Sequence, residues 1–229
     1  MERSADVLEG PPTPEPADRP RVIRRRTIAL YDPSPPPVAA APVERQGRRV
    51  WVGEVPYELV GEPPAPGVCL RDDFEIPAAR AAQPYLDRAT LCDGLVFLST
   101  LPDIRKHACV AQVLGLERHV RACLPAARIH HVASDAPEWW TEVDEYHPDT
   151  TAGGYCLALA EPASAEVFRT VFGVGVVGSH RVAHGLFALL HGVILASDVP
   201  AQQFGTPEVD RFVARVESVL ALCRARVNP

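Results

Sequence analysis

Leu95–Leu124 reads LVFLSTLPDIRKHACVAQVLGLERHVRACL, and this stretch decides the fold. Leu95, Val96, Phe97 and Leu98 form an apolar run without polar alternation, the pattern of a strand buried on both faces. A polar turn containing Pro102 follows. From Ala108 onward, Val110, Val113, Leu114, Glu117, Val120, Arg121 and Leu124 recur at helical spacing, with one apolar and one charged face. Cys109 therefore falls in the first turn of a helix that begins just beyond a central strand. Free backbone N–H groups and the helix dipole favour negative charge there, so a thiol at this place is expected to have its thiolate stabilised. The competing reading is a small buried hydrophobe, the usual fate of a free cysteine.

Outward from this unit, Arg128–Ser134 (RIHHVAS) is a second core strand, with one histidine ring on each face. Pro137 then opens a helix over EWWTEVDEYH, in which one tryptophan faces the core and the other the surface. The strand–helix–strand–helix order predicts an α/β sheet with parallel members. TTAGGYCLALAEP is a loop with a short strand, and Ser164–Phe172 is a short helix ended by Gly173. GLFALL and VILASDV flank His191-Gly192 as a hairpin, and residues 208–226 form a terminal amphipathic helix. Upstream, Val50–Val52 and Tyr57–Val60 predict a hairpin, Cys69–Ile76 a short strand, and Ile76–Leu86 a weak helix limited by Pro77 and Pro84.

Fourteen of the 24 prolines lie in the first 66 residues, so residues 1–48 read as an extended or disordered arm ahead of a domain over 49–229. Ile28 and Leu30 within it alternate with Thr27 and Ala29 and could add one strand to an open sheet edge. A net charge of −6 gives no large-scale attraction to nucleic acid or anionic lipid. No apolar run has the length of a membrane span and the N-terminus lacks a secretory h-region, so a cytoplasmic setting is expected. The six cysteines show no zinc-ligand spacing and no expected disulfide framework. Gly173–Gly178 spells GxGxxG but follows a helix instead of a strand, so it reads as a loop and no cofactor is expected.

Several of these segments together resemble the peroxiredoxins of the bacterial thiol peroxidase type, over roughly residues 49 to 222. Val50–Pro56 with Tyr57–Gly61 is similar to that subgroup's N-terminal hairpin. Asp73-Phe74 resembles the Asp-Phe of its next strand, Val132–Pro137 its Val-Ser-x-Asp-x-Pro, and Phe172-Gly173-Val174 its aromatic-Gly-Val. The resemblance implies a thioredoxin-like fold with an extra N-terminal hairpin. It also aligns Pro102–Cys109 with the family motif P-x-x-x-[TS]-x-x-C, which makes Cys109 the peroxidatic cysteine and Pro102 its shield.

The resemblance also has departures. Lys106 stands where the family has Thr or Ser; an ammonium can donate to a thiolate but cannot accept the peroxide's proton. The family arginine that holds the thiolate aligns best with His184, with Arg181 as a possible substitute. No cysteine lies near Glu142–Asp144, where the subgroup carries its resolving thiol. Cys123 is 14 residues beyond Cys109, about 21 Å along one helix, and a disulfide needs Cα atoms within roughly 7 Å. Cys69, Cys92, Cys156 or an external thiol are left as resolvers. Two functions follow. One is thiol-dependent reduction of hydrogen peroxide or organic hydroperoxides by a homodimer, recharged by an external thiol such as a thioredoxin-like protein. The other is a decayed peroxiredoxin fold acting as a structural or interaction subunit, whose N-terminal arm binds a protein partner.

Overall fold

The computed structural model describes residues 48–227. The proline-rich segment, with the arm and the added-strand reading of Ile28 and Leu30, lies outside the described residues.

The first ordered elements are β1 (Arg49–Val52) and β2 (Val55–Glu58), an antiparallel hairpin closed at Val52–Val55. The turn is Gly53-Glu54, with Gly53 at φ 62°, so it is tighter than the GEVP connection expected from sequence. The hairpin is tied to the rest of the domain through Trp51, whose N–H donates to the Ala201 carbonyl at 2.7 Å and whose carbonyl accepts from Gln203 N–H at 2.6 Å.

The main sheet has seven strands. In chain order come β3 (Glu75–Arg80), β4 (Tyr85–Asp87), α1 (Arg88–Cys92), β5 (Leu95–Leu101), α2 (His107–Cys123), β6 (Arg128–Ala133), α3 (Glu138–Tyr146) and β7 (Gly153–Cys156). A 3₁₀ turn at Leu157–Leu159 leads to α4 (Pro162–Val171), β8 (Gly185–Leu190), β9 (Val193–Asp198) and α5 (Val209–Val227). The strand order is β4-β3-β7-β6-β5-β8-β9, with β5, β6 and β7 parallel and the flanking pairs antiparallel.

β5 lies inside this sheet and is buried on both faces, as its composition requires. Val96 and Leu98 join a core of Phe74, Phe168, Phe172 and Phe187. Phe97 points the other way, into the layer formed by Leu116 and Val120 of α2 and Val209, Phe212 and Val216 of α5. A third cluster of Leu101, Ile104, Cys109, Val113, Trp140 and Val143 packs around the start of α2. The β8–β9 hairpin turns at His191 (φ 50°) and Gly192 (φ 77°), the two positive-φ positions that a type I′ turn demands. Trp140 is buried while Trp139 is half-buried, and both His130 and His131 lie in the core.

Three expectations fail. Ile76–Leu86 is no helix: it forms most of β3 and β4, because pairing with β7 overrides a weak alanine-based propensity. Pro77 fits because the β3 ladder with β7 starts only at Ala78, and Pro84 lies in the turn that precedes β4. Cys69–Ile76 is mostly irregular: Cys69 makes an isolated bridge to Val193, and Asp73-Phe74 precede β3. Glu117 does not belong to a solvated face of α2 but is 2% exposed.

Candidate active site

β5 delivers the chain to a short loop, residues 102–106, whose shape is set by two carboxylates. Asp103, buried, accepts Arg105 N–H at 3.1 Å and Arg105 Nε at 2.8 Å through Oδ1, and its carbonyl accepts Lys106 N–H at 2.9 Å. Asp135, from the turn after β6, accepts Ile104 N–H at 2.7 Å. The Arg105 guanidinium lies 5.0 Å over the Trp139 ring. Pro102, half-buried, starts this loop, and Lys106 ends it as the N-cap of α2, with extended φ and ψ and no capping bond from its side chain.

Cys109 is the third residue of α2, and its side chain has no exposed surface. Its Sγ lies 3.8 Å from His184 Nε2. His184 immediately precedes β8, which pairs with β5, so the register Thr100–Gly185 brings the ring against the helix start. Gly185 has to be glycine at this approach: a Cβ there would meet Thr100 Oγ1 at 2.8 Å. The His184 backbone is clamped by Gln203, whose Oε1 accepts the N–H at 2.5 Å and whose Nε2 donates to the carbonyl at 3.3 Å. On the far side of the ring, His184 Nδ1 lies 2.6 Å from Gln112 Oε1.

The electrostatics favour the buried-thiol reading of the two that the sequence left open for Cys109. Burial pushes its thiol up to about 12; the Asp103 amide and the Lys106 ammonium favour the thiolate, while the Asp103 and Asp135 carboxylates oppose it. A helix N-terminus and one ammonium do not offset the loss of solvation at a sulfur with no water contact. Burial likewise pushes His184 down to about 4, so thiol and imidazole are both neutral around pH 7.

The sequence-derived residues are thus brought together unequally. Cys109 and His184 face each other, Lys106 acts weakly through its charge, and Pro102 starts the loop. Arg181 approaches Asp103 Oδ2 at 4.0 Å, a longer approach than the hydrogen bonds that hold the loop. Gln112 went unnoticed in sequence, although its i+3 spacing from Cys109 puts both on one helix face. Among the other cysteines Cys69, Cys123 and Cys223 are exposed, Cys92 is half-buried and Cys156 is buried. Cys156 shares the third core cluster with Cys109, and burial pushes its thiol up to about 12 as well.

A second polar group lies deeper along α2. His131 Nδ1 sits 2.6 Å from Ser99 Oγ, and Glu117 is bracketed by Arg80, at 3.7 Å, and by Arg121. Ser99 and His131 have no exposed surface, so this cluster braces β3, β5, β6 and α2 and is not open to substrate.

No protein-family model matches the sequence, and no curated protein matches it either. Solved structures do. A thiol peroxidase from Chromobacterium violaceum superposes with a TM-score of 0.63 at 14% identity, covering 78% of this chain and 98% of its own. A peroxiredoxin-like protein from Aquifex aeolicus gives 0.61 at 14% identity, covering 75% and 97%. The chain has the peroxiredoxin fold, thioredoxin-like with an added N-terminal hairpin.

Proposed function

We propose that this chain is a thiol-dependent peroxidase of an unusual kind, in which Cys109 rests as a neutral thiol and His184 serves as its proton acceptor. The observation that carries the reading is the 3.8 Å contact between Cys109 Sγ and His184 Nε2 at the start of α2. A nucleophile beside a ring nitrogen is the arrangement by which a thiol is activated without a low pKa. Cys109 attacks the terminal peroxide oxygen while its S–H proton passes to His184 Nε2. The O–O bond breaks, and the leaving oxygen takes that proton from the imidazolium. The products are Cys109 sulfenic acid and water or an alcohol, sulfur giving up two electrons and the peroxide gaining them. An external thiol, such as a thioredoxin-like protein, then attacks the sulfenic sulfur and releases water, and a second thiol resolves the mixed disulfide. A homodimer and a cytoplasmic setting belong to this proposal. Among the described residues no helix is long and apolar enough to cross a membrane.

Because Sγ has no exposed surface, peroxide reaches it only in an opened form, and the rate is scaled by the population of that form. The same burial favours a second reading, a catalytically decayed subunit that binds a partner through its N-terminal segment. Dimedone trapping after dilute hydrogen peroxide separates the two. Peroxidase chemistry gives a dimedone adduct at Cys109 that Cys109→Ser abolishes and Cys123→Ser retains. A Cys109 that stays unlabelled while exposed Cys69, Cys123 and Cys223 are modified establishes the decayed subunit.

A further inference from the structure

We infer that Gln112 is a positioning residue that holds His184 in its Nδ1–H tautomer and so aims the Nε2 lone pair at the Cys109 thiol. The inference follows from donor and acceptor chemistry along one line of buried groups. Gln112 Nε2 lies 3.3 Å from the Thr100 carbonyl and 3.2 Å from the Gly185 carbonyl, neighbours on β5 and β8. Both are acceptors only, so the amide must turn its NH₂ toward them; the flipped amide would set an oxygen against two oxygens. This leaves Gln112 Oε1 facing His184 Nδ1 at 2.6 Å, and an amide oxygen only accepts. Nδ1 must therefore carry the hydrogen.

Burial keeps the imidazole neutral, so it has a single N–H, and Nε2 is left with a lone pair. The thiol is the donor that meets it. Gln112 has no exposed surface and His184 is 4% exposed, so water does not compete for either ring nitrogen in this arrangement. The main-chain register of β5 and β8 is thus transmitted through one side-chain amide to the proton-accepting atom beside the sulfur. Gln112 touches neither thiol nor peroxide; it acts through His184.

The consequence for catalysis rests on the peroxidase reading, whereas the tautomer does not, and the experiment separates them. The full chain is labelled with ¹⁵N-histidine, and His184 is assigned by the resonances lost in His184→Gln. Two-bond ¹H–¹⁵N correlations at pH 7 then identify which ring nitrogen carries hydrogen. The expected result is a protonated Nδ1 and a bare Nε2. Gln112→Met removes the oxygen that Nδ1–H faces, and the fixed tautomer is lost. Peroxide oxidation of Cys109 falls about tenfold or more in Gln112→Met, a part of what a general base supplies. A wild-type His184 protonated at Nε2 overturns the inference whatever the rates. An Nδ1–H tautomer in a chain that consumes no peroxide upholds it and removes the peroxidase reading instead. If Gln112→Met fails to fold, the wild-type spectrum still decides.

Discussion

Glu117 Oε1 on α2 and His131 Nε2 on β6 meet at 3.6 Å inside the core, with the arginines of β3 and α2 closing on the same carboxylate. Burial by itself pushes Glu117 up, but His131, the Thr151 amide and Arg121 together outweigh it and hold the carboxyl below its usual value. A depressed carboxyl stabilises the fold above its unfolded pKa, and that contribution is lost as pH falls through the folded value. Replacing Glu117 by Gln takes the anion from Arg121 and leaves Arg80 paired with Asp144 alone, and is expected to cost about 1–3 kcal/mol. Urea denaturation at pH 7 measures this, and a loss under about 1 kcal/mol would mean that the cluster is solvated.

His130 gives a second pH dependence, with its own window. Burial, followed by the His131 and Arg128 charges, pushes it down to about 4, and His184 is lowered equally. Between pH 6.5 and about 4 the unfolded chain binds protons at both residues that the folded chain does not. Stability therefore falls as pH drops through this range, by on the order of 3 kcal/mol for each group. Among the described residues neither His130 ring nitrogen has a hydrogen-bond partner, and the ring packs 5.6 Å from that of Tyr155. His130→Phe should thus be neutral or stabilising at pH 7 and should reduce the fall between pH 7 and pH 4.5 in urea midpoints, the rest belonging to His184 and the likewise buried His131. An unchanged slope would place a bound proton or water at His130.

Lys106 occupies an N-cap position with φ −83° and ψ 137°, the extended geometry of a capping residue, without a capping side chain. Lys106→Thr supplies a hydroxyl for the free N–H groups of α2 and is expected to add about 1 kcal/mol. The ammonium is the smallest of the influences on the Cys109 thiol, so removing it leaves the sulfur protonated at neutral pH. Thermal melts and a thiolate absorbance titration of the variant check both halves. A large rise in peroxide reactivity would instead identify a threonine-dependent site of the family type.

Removal of the proline-rich segment is expected to leave a folded domain when the cut falls before Arg48. The Arg48 carbonyl accepts Leu59 N–H at 2.8 Å and its guanidinium donates to the Val199 carbonyl at 2.6 Å. Val50, the next anchor, is 1% exposed. A chain starting at Arg48 should melt cooperatively and within a few degrees of the full protein, and one starting at Gly53 should not. Aggregation of the chain starting at Arg48 would make residues 1–47 part of the folding unit.

The parts of this fold legible in sequence were those that local pattern dictates. The unbroken apolar run of β5, the helical spacing of α2, the Pro137 start of α3 and the His191-Gly192 turn each carry their own signal. β3 and β4 do not, since their partners lie more than 60 residues away on β7 or across a turn between two prolines. Cys109 was singled out by its helix-start position and His184 through family resemblance, while the choice between an activated and a buried Cys109 was left open. Sequence places a residue at a helix N-terminus; only packing shows whether water reaches it. Glu117 illustrates the same limit, because a glutamate among arginines looks like a solvated face until Arg80 arrives from another strand.

The pH dependence of Cys109 oxidation by hydrogen peroxide, followed in stopped flow in wild type and His184→Gln, tests most directly whether a neutral thiol and a neutral histidine react together. The charged groups facing the sulfur are Asp103, Asp135 and Lys106, and the thiol and imidazole values of about 12 and about 4 bracket the working range. Both partners keep one protonation state from about pH 5 to about pH 10, so a base-assisted rate is flat across that interval. In His184→Gln the rate should be lower at pH 7 and climb about tenfold per pH unit, as reaction through free thiolate requires. A wild-type rate that already climbs tenfold per unit, or thiolate absorbance from Cys109 at pH 7, would contradict the neutral pair.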